Sequence, residues 1–261
     1  MAPQPDRYES EDVDVSPLGQ PLKFEFSGKT APNRFLKGAM TERLSSWDPN
    51  NFQKRGIPSE QLINVYKRWG EGSLGLILTG NTMIDYDQLE AKGNPIIPQE
   101  AEAKDGDARF EAFKKQAEAA KAHGDLIVMQ VSHPGRQVQD IINPKPLSAS
   151  DVQLEGTVMG MNFAKPRAAT QEDIDHIIEG FTHAAEYAEK AGYDGVQLHG
   201  AHGYLLAQFL SPTTNRRTDK YGGSLENRAR IIIEIAKSIQ KRTSKNFMIG
   251  IKLNSVEFQD K

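Results

Sequence analysis

A chain of 261 residues with a net charge of -3, its Lys, Arg, Asp and Glu scattered along the length, offers neither a basic face for nucleic acid nor an acidic tail. The absence of cysteine excludes a disulfide framework, a thiolate zinc site and a catalytic thiol. Residues 1–15 are polar and acidic, unlike a signal peptide, and no run of about 18 apolar residues offers a membrane span, so the expectation is a cytoplasmic protein without nucleic-acid or membrane partners.

After a polar tail over residues 1–20, residues 22–26 with the turn at Gly28 and Lys29 read as a short strand and turn. Five short apolar or β-rich runs follow at long intervals, over residues 34–40, 74–79, 126–131, 195–199 and 247–253. They are mostly apolar on both faces, as expected of strands in a parallel sheet covered by helices. Between them lie helical stripes: Leu62, Val65, Tyr66 and Trp69; Phe110, Phe113, Ala117 and Ala120; Ile174, Ile177, Ile178 and Phe181; Ile232, Ile235, Ala236 and Ile239. Thr170 with Asp173 forms a capping-box pattern, and Gly124 and Gly192 each follow a helix. Strand then helix, repeated, means an open doubly wound sheet or a (β/α) barrel, and periodicity does not separate the two. The long loop over residues 141–169 after the third strand favours a barrel whose site is built by loops at strand C-termini.

Gly70, Gly72 and Gly75 satisfy a G-x-G-x-x-G pattern, but they follow a helix and precede a strand, the reverse of a dinucleotide-binding turn. A helix end and a tight turn account for them.

The fourth strand runs into His199, Gly200, Ala201, His202, Gly203 and Tyr204. Were the chain to turn helical there, the i, i+3 spacing would put both imidazoles on one side of a turn, as two donors to a single oxygen. Tyr204, whose phenol has an ordinary pKa near 10, could then deliver a proton to a basic carbanion or enolate. The competing readings are core histidines beside a pocket-lining tyrosine, or a metal site in which His133 joins His199 and His202.

The run over residues 199–212, with Tyr204, Gln208, Ser211 and Pro212, followed by Asn215, Arg217, Thr218, Asp219, Tyr221, Gly222, Gly223, Ser224, Glu226, Asn227 and Arg228, resembles the signature of the old yellow enzyme family. Further matches are Asn33, Arg34, Ala39, Met40 and Thr41; Thr79, Gly80 and Asn81; Gln130, His133, Gly135, Arg136 and Gln137; and Gly250 with Lys252. The resemblance implies an FMN-dependent ene-reductase on a TIM (β/α)8-barrel, of which this chain holds about the first five β/α units, with residues 21–261 a partial FMN-binding barrel domain. It implies NADPH or NADH as electron donor and a small α,β-unsaturated carbonyl compound as substrate.

By the same resemblance, His199 and His202 bind the substrate carbonyl and Tyr204 donates the proton. Ala39, Met40, Thr41, Asn81, Gln130 and Lys252 contact the flavin, Lys252 standing where the family normally has arginine. Because family members usually continue through three more strands, the chain is expected to be a C-terminal truncation without the phosphate site, either an inactive fragment or an incomplete gene model.

Overall fold

A computed structural model describes residues 11–157 and 160–256. Residues 1–10 of the expected tail and 257–261 of the expected domain lie outside the described residues. A short antiparallel pair, β1 (Leu22–Lys23) and β2 (Thr30–Ala31), comes first. Then β3 (Leu36–Lys37), α1 (Glu60–Gly70), β4 (Leu76–Met83), α2 (Ala108–Lys121) and β5 (Leu126–Ser132) alternate. After β6 (Leu147–Ser148) and β7 (Arg167–Ala168) come α3 (Gln171–Lys190), β8 (Gly195–Gly200), α4 (Leu205–Leu210), α5 (Leu225–Arg242) and β9 (Met248–Leu253).

The five expected strands form one parallel sheet in sequential order, β3-β4-β5-β8-β9. No strand order reverses, and the helices lie on one face. Ile77, Ile127, Met129, Val131, Val196 and Leu198 pack outward with Leu62, Phe113, Phe181 and Ile235 of the helices in a single apolar cluster. A doubly wound sheet would carry helices on both faces; this is the wall of a TIM barrel, five strands wide.

The local reasons are legible in the chain. Ser59, Asp107 and Ser224 cap α1, α2 and α5 by accepting from the backbone amides of Leu62, Phe110 and Asn227. Thr170 and Asp173 form the expected capping box at α3. Gly124 and Gly192 take positive φ beyond α2 and α3, as a helix-ending glycine does. Gly70 ends α1, and Gly75 lies so close to the Asn33 carbonyl that no Cβ would fit, which confirms the non-dinucleotide reading of that glycine set. The expected first strand over residues 34–40 is regular only at Leu36–Lys37, where it pairs with Leu76 and Ile77 of β4. The expected loop after the third strand contains the β6–β7 pair, tied down by Arg217, whose Nη1 donates to the carbonyls of Ala149 and Ala169 at 3.0 and 2.6 Å.

On the concave face the strands grade from apolar to polar. Leu76, Leu78 and Val128, joined by Phe24 of the N-terminal hairpin, make the floor. Above it Asn81, Gln130 and Gln197 stand in register on β4, β5 and β8, and His199 pairs with Lys252 higher still. The register of β4 slips between Leu78 and Asn81, and Thr79 Oγ1 accepts from the Gln130 amide at 2.9 Å across the irregularity. Such a bulge re-aims the side chains that follow it, here Asn81.

Candidate active site

His199 is almost fully buried at the end of β8. Its Nδ1 accepts from the Ala201 amide at 3.3 Å, which leaves Nε2 as the protonated donor. Burial, reinforced by the adjacent His202 and the Lys252 charge, pushes the His199 pKa down to about 3, so the ring is neutral across the physiological range. His202 is shifted in the same direction by burial and Lys252.

The histidines do not sit on a helical turn. His202 takes φ 58° and Gly203 φ 68°, and α4 begins only at Leu205, with Tyr204 as its N-cap. This left-handed step, rather than i, i+3 helical spacing, brings the imidazole centroids to 5.0 Å and places the Tyr204 ring 4.8 Å from His199. Two hydrogen bonds from distant loops hold the step. The His202 amide donates to Asn254 Oδ1 at 2.9 Å, and the His202 carbonyl accepts from Gln137 Nε2 at 2.8 Å. Burial, with Glu90 nearby, raises the Tyr204 pKa well above that of an ordinary phenol, so the hydroxyl keeps its proton.

On β4 and the segment after β3, Thr41 Oγ1 donates to Asn81 Oδ1 at 3.0 Å, and the buried Asn94 reaches the same oxygen at 3.4 Å. Gly80 has no room for a Cβ beside Glu42 and the Met40 carbonyl. Its amide instead donates to Glu42 Oε1 and Tyr66 Oη, both at 3.0 Å, and Tyr66 is itself hydrogen-bonded to Glu42. Ala39 packs at the apolar floor, while Met40 is 56% exposed.

Gln130 Nε2 donates to Gln197 Oε1 at 2.7 Å. Gln197 was not among the residues expected from sequence; standing two before His199 on a strand, it shares that residue's face, which is the signal that could have found it. Asn254 and Gln137 were not expected in this role either. Asn254 stands two residues beyond Lys252, but its partner is 52 residues away, and only the fold brings the two together.

The structure does not bring His133, His199 and His202 together as the metal reading requires. Among the described residues no group of three or more His, Asp or Glu side chains is placed to hold an ion. His133 is committed elsewhere: its Nδ1 accepts from the Gly135 amide at 3.0 Å and its Nε2 lies 3.7 Å from Asp85. Burial lowers its pKa to about 4. A cleft of about 710 Å3 beside the start of α2, lined by Gln53, Tyr86, Glu100, Lys104 and Arg109 among others, contains none of the candidate residues. The concave face is a trough open along β3 and β9, so position at the strand C-termini marks the site better than enclosed volume does.

Helices on one face, sequential parallel strands and a polar cluster at the strand C-termini define a TIM-type (β/α) protein, present here as a five-stranded part of the barrel. The sequence model of the NADH:flavin oxidoreductase / NADH oxidase family matches residues 17–261. An NADH-dependent flavin oxidoreductase, nadA of Aspergillus parasiticus, is 57% identical over 95% of this chain and 55% of its own length. Morphinone reductase superposes with a TM-score of 0.74 at 30% identity, covering 90% of this chain and 61% of the other. The old yellow enzyme homologue from Zymomonas mobilis gives 0.73 at 29% identity, covering 90% and 62%. The chain belongs to the NADH:flavin oxidoreductase / NADH oxidase family, that of old yellow enzyme, and spans somewhat more than half the length of these three relatives.

Proposed function

We propose that the chain supplies the substrate-binding half of an FMN-dependent ene-reductase, which reduces the activated C=C bond of α,β-unsaturated carbonyl compounds at the expense of NADH or NADPH. Similarity to the NADH-dependent flavin oxidoreductase of Aspergillus parasiticus supports NADH as donor. The observation that carries the reading is the grouping of His199, His202 and Tyr204 within 4.8 to 6.3 Å of one another, over a row of amides on three successive strands.

The donor set fits a flavin ring. With Gln130 Nε2 committed to Gln197, Gln130 Oε1 remains as an acceptor and Gln197 Nε2 as a donor, a pairing that suits the imide edge of an isoalloxazine. Thr41, anchored by Asn81, would face the ring from the β3 side together with Ala39 and Met40. Lys252 would bring a positive charge from β9 that favours an anionic reduced ring, as a point charge rather than a planar fork. When bound, FMN supplies the two-electron relay between NAD(P)H and the alkene.

The chain's own residues perform the rest. Neutral His199 and His202 hold the substrate carbonyl oxygen, and their donors are worth more as charge accumulates there than in the ground state. Tyr204 holds its proton, because burial raises its pKa, until a carbanion basic enough to take it forms at the α-carbon.

Single-turnover kinetics test this. Tyr204→Phe should slow oxidation of the reduced enzyme by 2-cyclohexenone and leave reduction by NADH nearly unchanged; equal loss in both halves would remove Tyr204 from the role of acid. A second reading, a chain that holds no FMN by itself, is favoured by the two open edges of the trough, where Leu36 is 57% and Leu253 54% exposed. A flavin absorbance spectrum unchanged on mixing FMN with the purified chain would support it.

A further inference from the structure

The pair of imidazoles depends on one backbone step. A residue with a Cβ is disfavoured at positive φ, and of the described non-glycine residues only Arg43, Ser73 and His202 adopt it. Left to itself the chain between β8 and α4 would relax His202 toward negative φ, and the imidazole would swing away from His199. The intrinsic cost of the left-handed conformation is met by contacts from outside the segment.

Two side chains supply them. Asn254, just past the end of β9, accepts from the His202 amide at 2.9 Å. Gln137, in the loop after β5, donates to the His202 carbonyl at 2.8 Å, and its Nε2 lies so close to Gly203 that a Cβ there would meet it at 2.9 Å. The two bonds grip the same residue from opposite ends, one on N–H and one on C=O, and they come from the segments that follow β5 and β9, the strands on either side of β8. Gln208 closes the turn from below by donating to the Gly203 carbonyl at 2.7 Å. Neither Asn254 nor Gln137 needs to touch a substrate for this.

We propose that Asn254 and Gln137 are positioning residues that clamp His202 in its left-handed conformation and so set the aim of the His199–His202 pair at a carbonyl oxygen. The second half of that statement rests on the oxyanion role proposed above; the first half does not. β9 thus serves the site twice, with the charge of Lys252 opposite His199 and with the acceptor at Asn254 two residues later.

The test uses the full chain labelled with carbon-13 and nitrogen-15, and 4-nitrophenolate as a probe whose anionic oxygen mimics an enolate and whose absorbance reports its surroundings. In Asn254→Leu the Cα and Cβ shifts of His202 should leave left-handed values, and 4-nitrophenolate should bind roughly 3- to 10-fold more weakly, the worth of one lost hydrogen bond. Asn254→Asp keeps the acceptor oxygen and should restore the His202 shifts, whereas a purely structural role for the side chain would leave them displaced. Gln137→Leu, which breaks the other bond, should move the same resonances and covers the case in which Asn254→Leu does not fold. His202 shifts identical to wild type in both Leu variants would overturn the clamp. Wild-type chain that fails to bind 4-nitrophenolate would overturn the oxyanion reading, while the carbon shifts would still decide the clamp.

Discussion

The central strands and the edge strands of this sheet carry comparable chemistry on unequal support. β4, β5 and β8 are buried at almost every position, while β3 and β9 leave Leu36, Ile251 and Leu253 between 39% and 57% exposed. Groups on the central strands are tied by buried or part-buried hydrogen bonds: His199 to Ala201, Gln130 to Gln197, and the Gln130 amide to Thr79. Groups from the edges, Thr41 and Lys252, stand in more solvated surroundings. The difference teaches that side chains on the central strands are preorganised by the core, and that those at the edges take their order from fewer contacts.

The largest effect that could break this comparison is on stability. Phe181, fully buried on the core-facing side of α3, should cost about 3–5 kcal/mol on truncation to Ala, whereas Leu36→Ala at the exposed edge should cost under about 0.5 kcal/mol. Urea denaturation midpoints measure both. A loss at Leu36 as large as at Phe181 would show the β3 edge to be covered in solution.

Close behind stands Tyr204→Phe in the holoenzyme, which should lower the rate of alkene reduction by about 10²–10⁴-fold, the usual worth of a general acid. A loss under about threefold would mean that the proton comes from water and that preorganisation around Tyr204 is incidental.

A pH dependence should follow from the buried central histidines. The unfolded chain protonates His near 6.5, whereas folded His133 and His199 bind a proton only near about 4 and about 3. Below pH 6.5 the unfolded state therefore holds more protons, and stability falls as the pH drops from 6.5 towards 4. The loss by pH 5 should be of the order of 2 kcal/mol for each histidine as an upper limit. His176 works in the opposite sense, since its bond to Asp85 raises its pKa and it stabilises the fold once protonated. Urea midpoints at pH 7.5 and 5 should show the decline, and His199→Asn should shrink it. A flat profile would contradict the burial of both rings.

The smallest effects concern cofactor affinity. Gln130→Leu strands the Gln197 oxygen and should weaken FMN binding by roughly tenfold, against roughly threefold for Thr41→Ala, whose hydroxyl is the more exposed. The candidate contacts among the described residues all address the ring, so riboflavin and FMN should bind this chain alike in a fluorescence titration. A strong preference for FMN would reveal a phosphate contact from residues other than those that face the ring.

Much of this was written along the chain. Short range and strict periods explain why: the helical stripes around Phe113, Ile177 and Ile235, the Thr170–Asp173 box three residues apart, and the glycines closing α2 and α3 are decided by neighbours within a turn or two. The signature around His199, His202 and Tyr204 marked the site for the same reason, since all three lie within six residues at a strand end. What only the tertiary structure decided are the contacts that cross the sheet. Sequential strand order with helices on one face separated barrel from doubly wound sheet, a choice that periodicity leaves open. The bulge between Leu78 and Asn81 set the register that aligns Asn81 with Gln130, and the Gln130–Gln197 bond joins residues 67 apart. His202 pairs with His199 through a left-handed backbone that local preference opposes. Contacts from Gln137 and Asn254, 65 and 52 residues away, make that conformation tenable, and a separation of that size leaves no local trace in the sequence.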